Sequence, residues 1–366
     1  MRDVAATPSR GYLAIADLSG YTAYLSRGEI EHAPTIAGDL LETVVGRLEP
    51  PFRLAKLEGD AVFVYAEEGR AEPSLLLDAV EAAYFAFRRR LRSIDAATAC
   101  DCNACRLAPQ LDLKLFVHHG WWIAGSIAGR DELAGPDVIL VHRLLKGAAA
   151  AERTRHGFAV FTRSALEALG IEPVRLDLTR NRESIEHIGE VETFVLDLEA
   201  RWQQEDARRL LADGDGLTIH ELDTTLPVDR SVAWSYLTSP ALRSEWEGAI
   251  TIQDETAGGR VGPGTTTRCV TGRLASLEEV VDWQPHEHIG WRVAVRGIGP
   301  VAATADLEST DDGTQVRLRW SIAPEATPSR SAVQRLRREK TEAIGRLATR
   351  LRSTGRELPV VQEVQG

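Results

Sequence analysis

Two acidic, glycine-flanked runs in the first sixty residues most constrain the fold and the chemistry of this chain. The first run, residues 12–22, is apolar and contains Asp17 and then Gly20. The second run, residues 53–63, contains Asp60 directly after a glycine. Each pattern indicates a β-strand that ends at an aspartate, and two such ends can bring carboxylates onto one divalent cation. Either run alone is also typical of an ordinary turn, so the prediction depends on both together.

The length of the chain favours two domains. It has 366 residues, more than one ordinary domain contains. Aspartate and glycine crowd together just before residue 217, which indicates a domain boundary. We therefore expect a first domain over residues 1–200, a linker over 201–216, a second domain over 217–355 and a tail over 356–366.

Composition excludes several functional classes. The formal net charge is −11, so the chain has no global attraction for nucleic acid or anionic lipid. No run approaches the roughly 18–20 apolar residues of a membrane span. The first residues lack the apolar segment of a signal peptide, and four cysteines do not make a disulfide scaffold. The expectation is a cytoplasmic protein that binds neither nucleic acid nor membrane.

The first domain shows strands alternating with helices. Apolar residues at three-to-four spacing predict helices over residues 30–48, 73–94 and 138–151. The order β-α-β-β-α-β, with an extra helix and extra strands, is the ferredoxin-like pattern of an α+β domain.

Three of the four cysteines lie within six residues of one another: Cys100, Cys102 and Cys105. Thiolates at this spacing can converge on one soft metal ion such as zinc. The fourth ligand could be His118, His119 or His142, or a group from a second subunit. Neighbouring thiols can instead form a redox pair, and a reduced loop without a special role is the remaining alternative.

The second domain combines an antiparallel sheet with a long helix. It begins with an alternating strand near Leu217, continues with two short helices and several strands, and closes with an amphipathic helix over residues 331–353. Three tryptophans on the strands either line or fill the space between the sheet and this helix: Trp283, Trp291 and Trp320.

The two acidic runs resemble the metal-binding motifs of the class III nucleotidyl cyclase family, and residues 56–60 follow its Lys-x-x-Gly-Asp pattern. Looser similarity continues at residues 113–120, 135–144 and 188–195, so that it covers about the first two hundred residues. Together with the cysteine cluster, the motifs also resemble the bacterial family of cyclase-like domains known as DUF2652. The resemblance implies a ferredoxin-like domain of the cyclase type.

The cyclase resemblance also implies ligands. Asp17 and Asp60 would hold two Mg²⁺ or Mn²⁺ ions, and Lys56 would contact the purine base of a nucleotide, with ATP favoured over GTP. Glu132 is the candidate for the acidic partner at the base, although Asp131 and Asp137 lie close to it in the sequence.

The cyclase resemblance also implies a residue that binds the phosphates and a dimeric assembly. Arg143 would steady the phosphates. In the family each site is shared across a dimer, which implies a homodimer here.

Two departures from the family pattern bear on activity. The asparagine that steadies the ribose and the transition state falls on Ile139, and a phosphate-binding lysine falls on Ile188. An alkyl group donates no hydrogen bond, and losing one preorganised donor costs on the order of 10²–10³ in rate. The resemblance therefore implies a divergent member of the family, weakly active or converted to nucleotide sensing.

The second domain resembles the START/Bet v 1 superfamily, also called the polyketide cyclase/dehydrase-like or SRPBCC group. The resemblance is carried by residues 228–240, 261–265 and 281–288 and by the order of the strands. It implies a helix-grip fold whose sheet and long helix enclose a hydrophobic ligand, with Trp283, Trp291 and Trp320 as candidate lining residues.

Three functional hypotheses follow. The first is a signalling protein that binds a nucleotide and a metal ion in its first domain and a hydrophobic molecule in its second. The second is an active adenylate cyclase regulated by the second domain. The third is a metal or redox sensor whose functional centre is the cysteine cluster.

Overall fold

The computed structural model describes residues 7–29, 32–97, 102–127, 129–147, 157–212, 216–248, 250–255, 261–271 and 274–354. Contacts within the chain divide it into two units between Trp202 and Gln203. Both units mix helices with a large sheet, so the prediction of an α+β protein is confirmed.

The first unit is built from eight strands and the helices that connect them. Its described elements are β1 (Pro8–Ser19), α1 (Tyr21–Arg27), α2 (Ala33–Leu48), β2 (Arg53–Glu58), β3 (Ala61–Glu67), α3 (Pro73–Ala97), α4 (Asn103–Leu107), β4 (Asp112–Ile127), β5 (Arg130–Ala134), α5 (Pro136–Leu144), β6 (Phe158–Thr162), α6 (Arg163–Ala168), β7 (Thr179–Ile185) and β8 (Gly189–Asp197). Helix α7 (Leu198–Ala212) then carries the chain across the division between the units.

The sheet of the first unit has the order β2-β3-β1-β4-β6-β8-β7, and β5 pairs with β4. The four strands β2, β3, β1 and β4 are antiparallel neighbours, which is the order expected of a ferredoxin-like unit. Strand β6 extends the sheet by pairing parallel to β4. The predicted helices correspond to α2, α3 and α5, but α5 ends at Leu144, and residues 148–151 of that prediction lie outside the described residues.

Strand β1 is buried on both faces because helices cover both sides of the sheet. Leu13 and Ile15 join one apolar cluster, which includes Val141 of α5. Ala14 and Ala16, on the opposite face of the strand, join a second apolar cluster, which includes Leu40 of α2 and residues of α3. This double burial explains why β1 reads as a continuous apolar run rather than an alternating one.

The second unit is a sheet of seven strands with helices on it. Its described elements are β9 (Leu217–Leu226), α8 (Arg230–Thr238), α9 (Pro240–Glu247), β10 (Ile250–Glu255), β11 (Thr266–Thr271), β12 (Leu274–Gln284), β13 (His288–Val295), β14 (Gly299–Thr310), β15 (Gly313–Ile322) and α10 (Arg330–Thr354).

All neighbouring strands of the second sheet are antiparallel, in the order β10-β11-β12-β13-β14-β15-β9. Helix α10 buries an apolar stripe that includes Leu336, Ile344, Leu347 and Leu351. The helix-grip arrangement predicted for this part of the chain is therefore present. Among the described residues, no helix combines the length and the apolar character that crossing a membrane requires.

Candidate functional site

The sheet register brings the two acidic motifs together. Asp17 of β1 lies opposite Ala61 of β3, the residue that follows Asp60. The backbone N–H of Leu18 donates to the carbonyl oxygen of Asp60 at 3.1 Å. Gly59 has φ +71°, a conformation that favours glycine, and it allows the tight turn that returns the chain from β2 into β3. The predicted neighbourhood of Asp17 and Asp60 is thus a direct consequence of pairing two consecutive motifs.

The surroundings of Asp17 disfavour its negative charge. Burial first, and then repulsion from Asp60, raise the pKa of Asp17 to about 6, against a partial opposing effect of Lys114. Lys114 lies opposite Asp17 on β4 and had no sequence signal, because only the β1–β4 register places it there. A carboxylate whose charge is disfavoured by a neighbouring carboxylate fits a site for a hard divalent cation, which would relieve the repulsion.

A second polar group lies on β2 and β5. The Lys56 ammonium lies 3.1 Å from the carboxylate of Glu132 and 3.0 Å from that of Glu58. Hydrogen bonds from Lys56 to Glu58 and Glu132 raise the pKa of the lysine. Glu58 also lies 3.0 Å from Nε2 of His142, so the group continues onto α5. An ammonium donor beside a carboxylate acceptor can hydrogen-bond to both the acceptor and the donor atoms on the edge of a purine.

Of the three acidic residues considered for the base, Glu132 is the one placed against Lys56. Asp131 is an exposed residue of β5, opposite Ser126. Asp137 instead accepts a hydrogen bond from the backbone N–H of Trp121 at 2.7 Å.

The two departures from the cyclase pattern lie on helix α5 and just before strand β8, and the arginine that matches the pattern lies on α5 as well. Arg143 is exposed and lies 3.8 Å from the carboxylate of Glu186. Ile139, one turn earlier on the same helix face, is 56% exposed. Ile188, just before β8, is 40% exposed. Two branched alkyl groups thus face solvent where the resemblance implies polar donors.

His118 links the sheet to α5 and to the start of α6. Its Nε2 lies 3.1 Å from Asp137 of α5, and its Nδ1 lies 2.9 Å from the hydroxyl of Thr162 at the start of α6. Burial lowers the pKa of His118 against the opposing effect of Asp137. Gly120 permits this packing, because a Cβ there would lie 2.4 Å from the Asp137 carboxylate.

The thiols meet a histidine that sequence reasoning missed. Nδ1 of His32 lies 3.3 Å from Sγ of Cys102 and 3.8 Å from Sγ of Cys105. Cys100 lies outside the described residues. His32 is far from the thiols in sequence and belongs to no local motif, so only the tertiary fold brings it to them.

The three histidines considered as a fourth ligand have other neighbours. His118 and His142 contact Asp137 and Glu58, as described above. His119, whose side chain points to the other face of the sheet, makes an edge-on contact with the ring of Tyr12, with centroids 4.9 Å apart.

The second unit contains a cavity between its sheet and α10. Its empty volume is about 580 Å³, part of which is open to solvent. Trp291 and Trp320 line it, together with Leu336 and other apolar residues. Trp283 is buried elsewhere, edge-on against Trp234 with ring centroids 4.8 Å apart. Of the three candidate tryptophans, two therefore lie at the cavity and one belongs to the core.

One part of the cavity wall is charged. Arg243 of α9 lies 2.7 Å from the carboxylate of Glu278 and 3.0 Å from that of Glu247. Lys340 of α10 lies 3.3 Å from Glu247. Burial alone would raise the pKa of Glu247, but Arg243 and Lys340 hold it well below its usual range. The charged residues thus form a mutually paired group within an apolar wall.

Comparison with solved structures gives distant similarities for each unit. A bacterial light-regulated adenylyl cyclase is 13% identical, with 55% of this chain and 57% of that chain covered and a TM-score of 0.40. The adenylyl cyclase CyaB from P. aeruginosa is 14% identical, with 53% of this chain and 97% of that chain covered and a TM-score of 0.39. DynU16, a putative protein of the dynemicin biosynthetic locus, is 20% identical, with 37% and 48% covered and a TM-score of 0.31.

Comparison with protein families and with known sequences identifies the two domains of the chain. The family described as protein of unknown function (DUF2652) matches residues 37–153, and the family described as polyketide cyclase / dehydrase and lipid transport matches residues 220–352. The uncharacterized protein Rv2561/Rv2562 of Mycobacterium tuberculosis is 35% identical over 159 residues, which are 43% of this chain and 72% of that protein. The chain therefore belongs to the family of this mycobacterial protein, and it joins a DUF2652 domain to a domain of the polyketide cyclase / dehydrase and lipid transport family.

Proposed function

We propose that the first unit binds a purine nucleotide with a divalent cation and forms cyclic nucleotide slowly or not at all. The second unit binds a hydrophobic small molecule, and together they make a signalling protein. The observation that carries the proposal is the acidic pair, Asp17 and Asp60, at adjoining strand ends, with the pKa of Asp17 raised to about 6. A fold has no structural use for two carboxylates that repel each other, whereas a metal site requires them.

The cation would be Mg²⁺ or Mn²⁺, held by the carboxylates of Asp17 and Asp60. When bound, it would neutralise the charge of a nucleotide's phosphates. The ammonium of Lys114 offsets only part of the negative charge at this site, because the pKa of Asp17 stays raised in its presence.

Lys56 and Glu132 are proposed to contact the purine base, and Arg143 the phosphates. The lysine and the glutamate lie 3.1 Å apart, close enough to engage neighbouring atoms of one base. The cyclase resemblance favours ATP over GTP and places these residues in the site of a second copy, so the proposal includes a homodimer. Exposed apolar side chains on the elements that carry the site, such as Leu57 on β2 and Ile139 on α5, support such an interface.

Turnover is proposed to be slow because two hydrogen-bond donors of the cyclase pattern are missing. Ile139 and Ile188 can exclude water, but neither can donate a hydrogen bond to charge that develops on ribose or phosphate. Loss of each donor costs on the order of 10²–10³ in rate, while nucleotide binding depends on the other contacts.

The ligand of the second unit is proposed to be hydrophobic and uncharged. Its cavity wall is mainly aromatic and aliphatic, which favours apolar surface. The charges of Arg243 and Lys340 are already offset by Glu247 and Glu278, so a ligand with a hydroxyl or carbonyl group fits better than an anion.

The acidic pair can be tested by nucleotide binding. Wild-type full-length protein should bind ATP in the presence of Mn²⁺, and Asp17→Ala and Asp60→Ala should each weaken this binding at least about tenfold, since each removes a cation ligand. Calorimetric titration with ATP, with and without Mn²⁺, measures the effect. The control is Asp95→Ala, which removes an exposed aspartate of α3.

The same samples should be assayed for cyclic nucleotide and pyrophosphate. Rapid cyclic product that both variants lose would establish an active cyclase and contradict the proposed loss of turnover. Binding that neither substitution changes would remove the acidic pair from the site altogether.

Nucleotide binding should also depend on pH through Asp17. Its carboxylate must be ionised to hold a cation, and its pKa is raised to about 6. Mn²⁺-dependent affinity for ATP should therefore be constant above neutral pH and fall about tenfold for each unit below 6. An affinity that stays flat down to pH 5 would contradict this assignment.

Asp17 should destabilise the metal-free fold at neutral pH. A carboxyl whose folded pKa exceeds its unfolded value of 3.8 destabilises the fold once ionised, so its penalty grows from pH 3.8 to about 6 and stays constant above. At pH 7 without divalent cations, Asp17→Asn should raise Tm of the first unit by about 2–4 °C. Scanning calorimetry of the full chain measures this, and an unchanged or lower Tm would count against the strained acidic pair.

Restoring the missing donors should increase turnover. The double variant Ile139→Asn, Ile188→Lys should form cyclic nucleotide at least about tenfold faster than wild type, because both positions are exposed and regain a donor. The control is Val174→Asn, which places the same amide on a side chain that is 86% exposed in another part of the unit. Intact ATP binding without any gain in rate would show that other differences prevent turnover.

The cavity can be tested by filling it. Ala303 of β14 lines the cavity, whereas Ala302 beside it is exposed on the other face of the strand. Ala303→Phe should weaken the binding of Nile red, an uncharged hydrophobic dye, at least about tenfold, and Ala302→Phe should not. Fluorescence titration measures both, with Tm as a check on folding. Equal effects of the two substitutions would place the dye outside the cavity.

A further inference from the structure

We infer that His32, Cys102 and Cys105 form a binding site for a thiophilic divalent cation, with Zn²⁺ as the preferred ion. Their donor atoms all lie within 4.8 Å of one another. Neither of the two cysteines forms a disulfide; both are half-buried, and His32 is exposed beside them. The three residues come from the start of α2 and from α4, segments that are far apart in sequence and unrelated to the acidic pair.

The distances match those between ligands of one tetrahedral metal ion. Zinc binds sulfur at about 2.3 Å and imidazole nitrogen at about 2.0–2.1 Å, which places the two ligand atoms about 3.5 Å apart at the tetrahedral angle. Nδ1 of His32 lies 3.3 Å from one Sγ and 3.8 Å from the other. Both distances lie within about 0.3 Å of that value.

Backbone contacts fix the segments that carry the three donors. The carboxylate of Glu29 accepts hydrogen bonds from the N–H groups of Asn103 and Ala104 at 3.1 and 2.9 Å. The N–H of His32 donates to the carbonyl of Glu29 at 3.1 Å, which ties the histidine to the same anchor. The site is thus held before any ion arrives.

The donor set selects the class of ion. Two thiolates and an imidazole favour zinc and other thiophilic ions over Mg²⁺ or Mn²⁺, which prefer carboxylate oxygens. Two thiolates also balance the charge of one divalent ion, and binding would release their protons. The described residues supply three donors, so the fourth tetrahedral position takes water or another group. Cys100 lies outside the described residues and is not part of the inference.

The test is a metal titration of the full-length protein, kept reduced and first stripped with a chelator. Co²⁺ should bind with about one equivalent and give a thiolate-to-cobalt charge-transfer band, and Zn²⁺ should displace it. Cys102→Ser and Cys105→Ser should each weaken Zn²⁺ binding at least about tenfold and reduce the band. His32→Ala should weaken binding similarly and change the visible cobalt spectrum.

Matched controls replace a residue of the same type elsewhere. His187→Ala removes an exposed histidine of the first unit, and Cys269→Ser removes a cysteine of β11 in the second unit. Both should leave the Co²⁺ spectrum and the Zn²⁺ affinity unchanged. Circular dichroism should confirm that all variants fold. Modification of the wild-type thiols should release bound Zn²⁺, a measurement that needs no variant.

Two results would overturn the inference. One is the absence of a charge-transfer band in reduced wild-type protein, for instance because Cys102 and Cys105 act only as a redox pair. The other is an unchanged cobalt spectrum and Zn²⁺ affinity in His32→Ala and Cys102→Ser, which would place the metal at other residues.

Discussion

The antiparallel pairing of β1 with β3 on one side and β4 on the other is the constraint on which the first unit depends. Because β1 packs on both faces, a one-residue shift in its register would exchange the side chains of the two apolar clusters and disrupt the packing of both. That fixed register brings Asp17 beside Asp60 and opposite Lys114. The position of the candidate cation site therefore follows from the packing of the core. The packing that makes β1 a central strand also determines where the side chain of Asp17 lies.

The acidic pair shows a conflict between stability and function. Burial and a neighbouring carboxylate raise the pKa of Asp17, which means that its ionised form destabilises the fold. Lys114 offsets only part of this effect. Such unfavourable electrostatics are typical of binding sites, because the ligand supplies the missing opposite charge. The paired charges at the cavity of the second unit are arranged differently: Arg243 and Lys340 have carboxylate partners within the protein.

How much could be predicted from the sequence depended on how local each feature is. The main helices follow from periodicity, and the closeness of Asp17 to Asp60 follows from two motifs on strands that pair with each other. Lys114 and His32 could not be predicted, since a strand register and a tertiary contact bring them to their sites. From the sequence, Trp283 and Trp291 were equally good candidates for the cavity wall. The bulge between Val280 and Asp282 interrupts the alternation of side chains between the two faces of β12, and Trp283 packs into the core.

The two metal sites proposed for the first unit use different kinds of donor atom. The carboxylate of Asp17 lies near the end of β1 and that of Asp60 in the turn before β3, whereas the thiols of Cys102 and Cys105 lie at α4, beside His32. Helix α1 lies between them in the chain, and Glu29 beyond its end is bound to the N–H groups of α4. Because thiolates and carboxylates prefer different ions, both arrangements can be filled at once without competition. The pairing of β1 thus fixes the chain before α1, and the hydrogen bonds between Glu29 and α4 fix the chain after it. An ion at the proposed thiol site would strengthen the second of these two attachments.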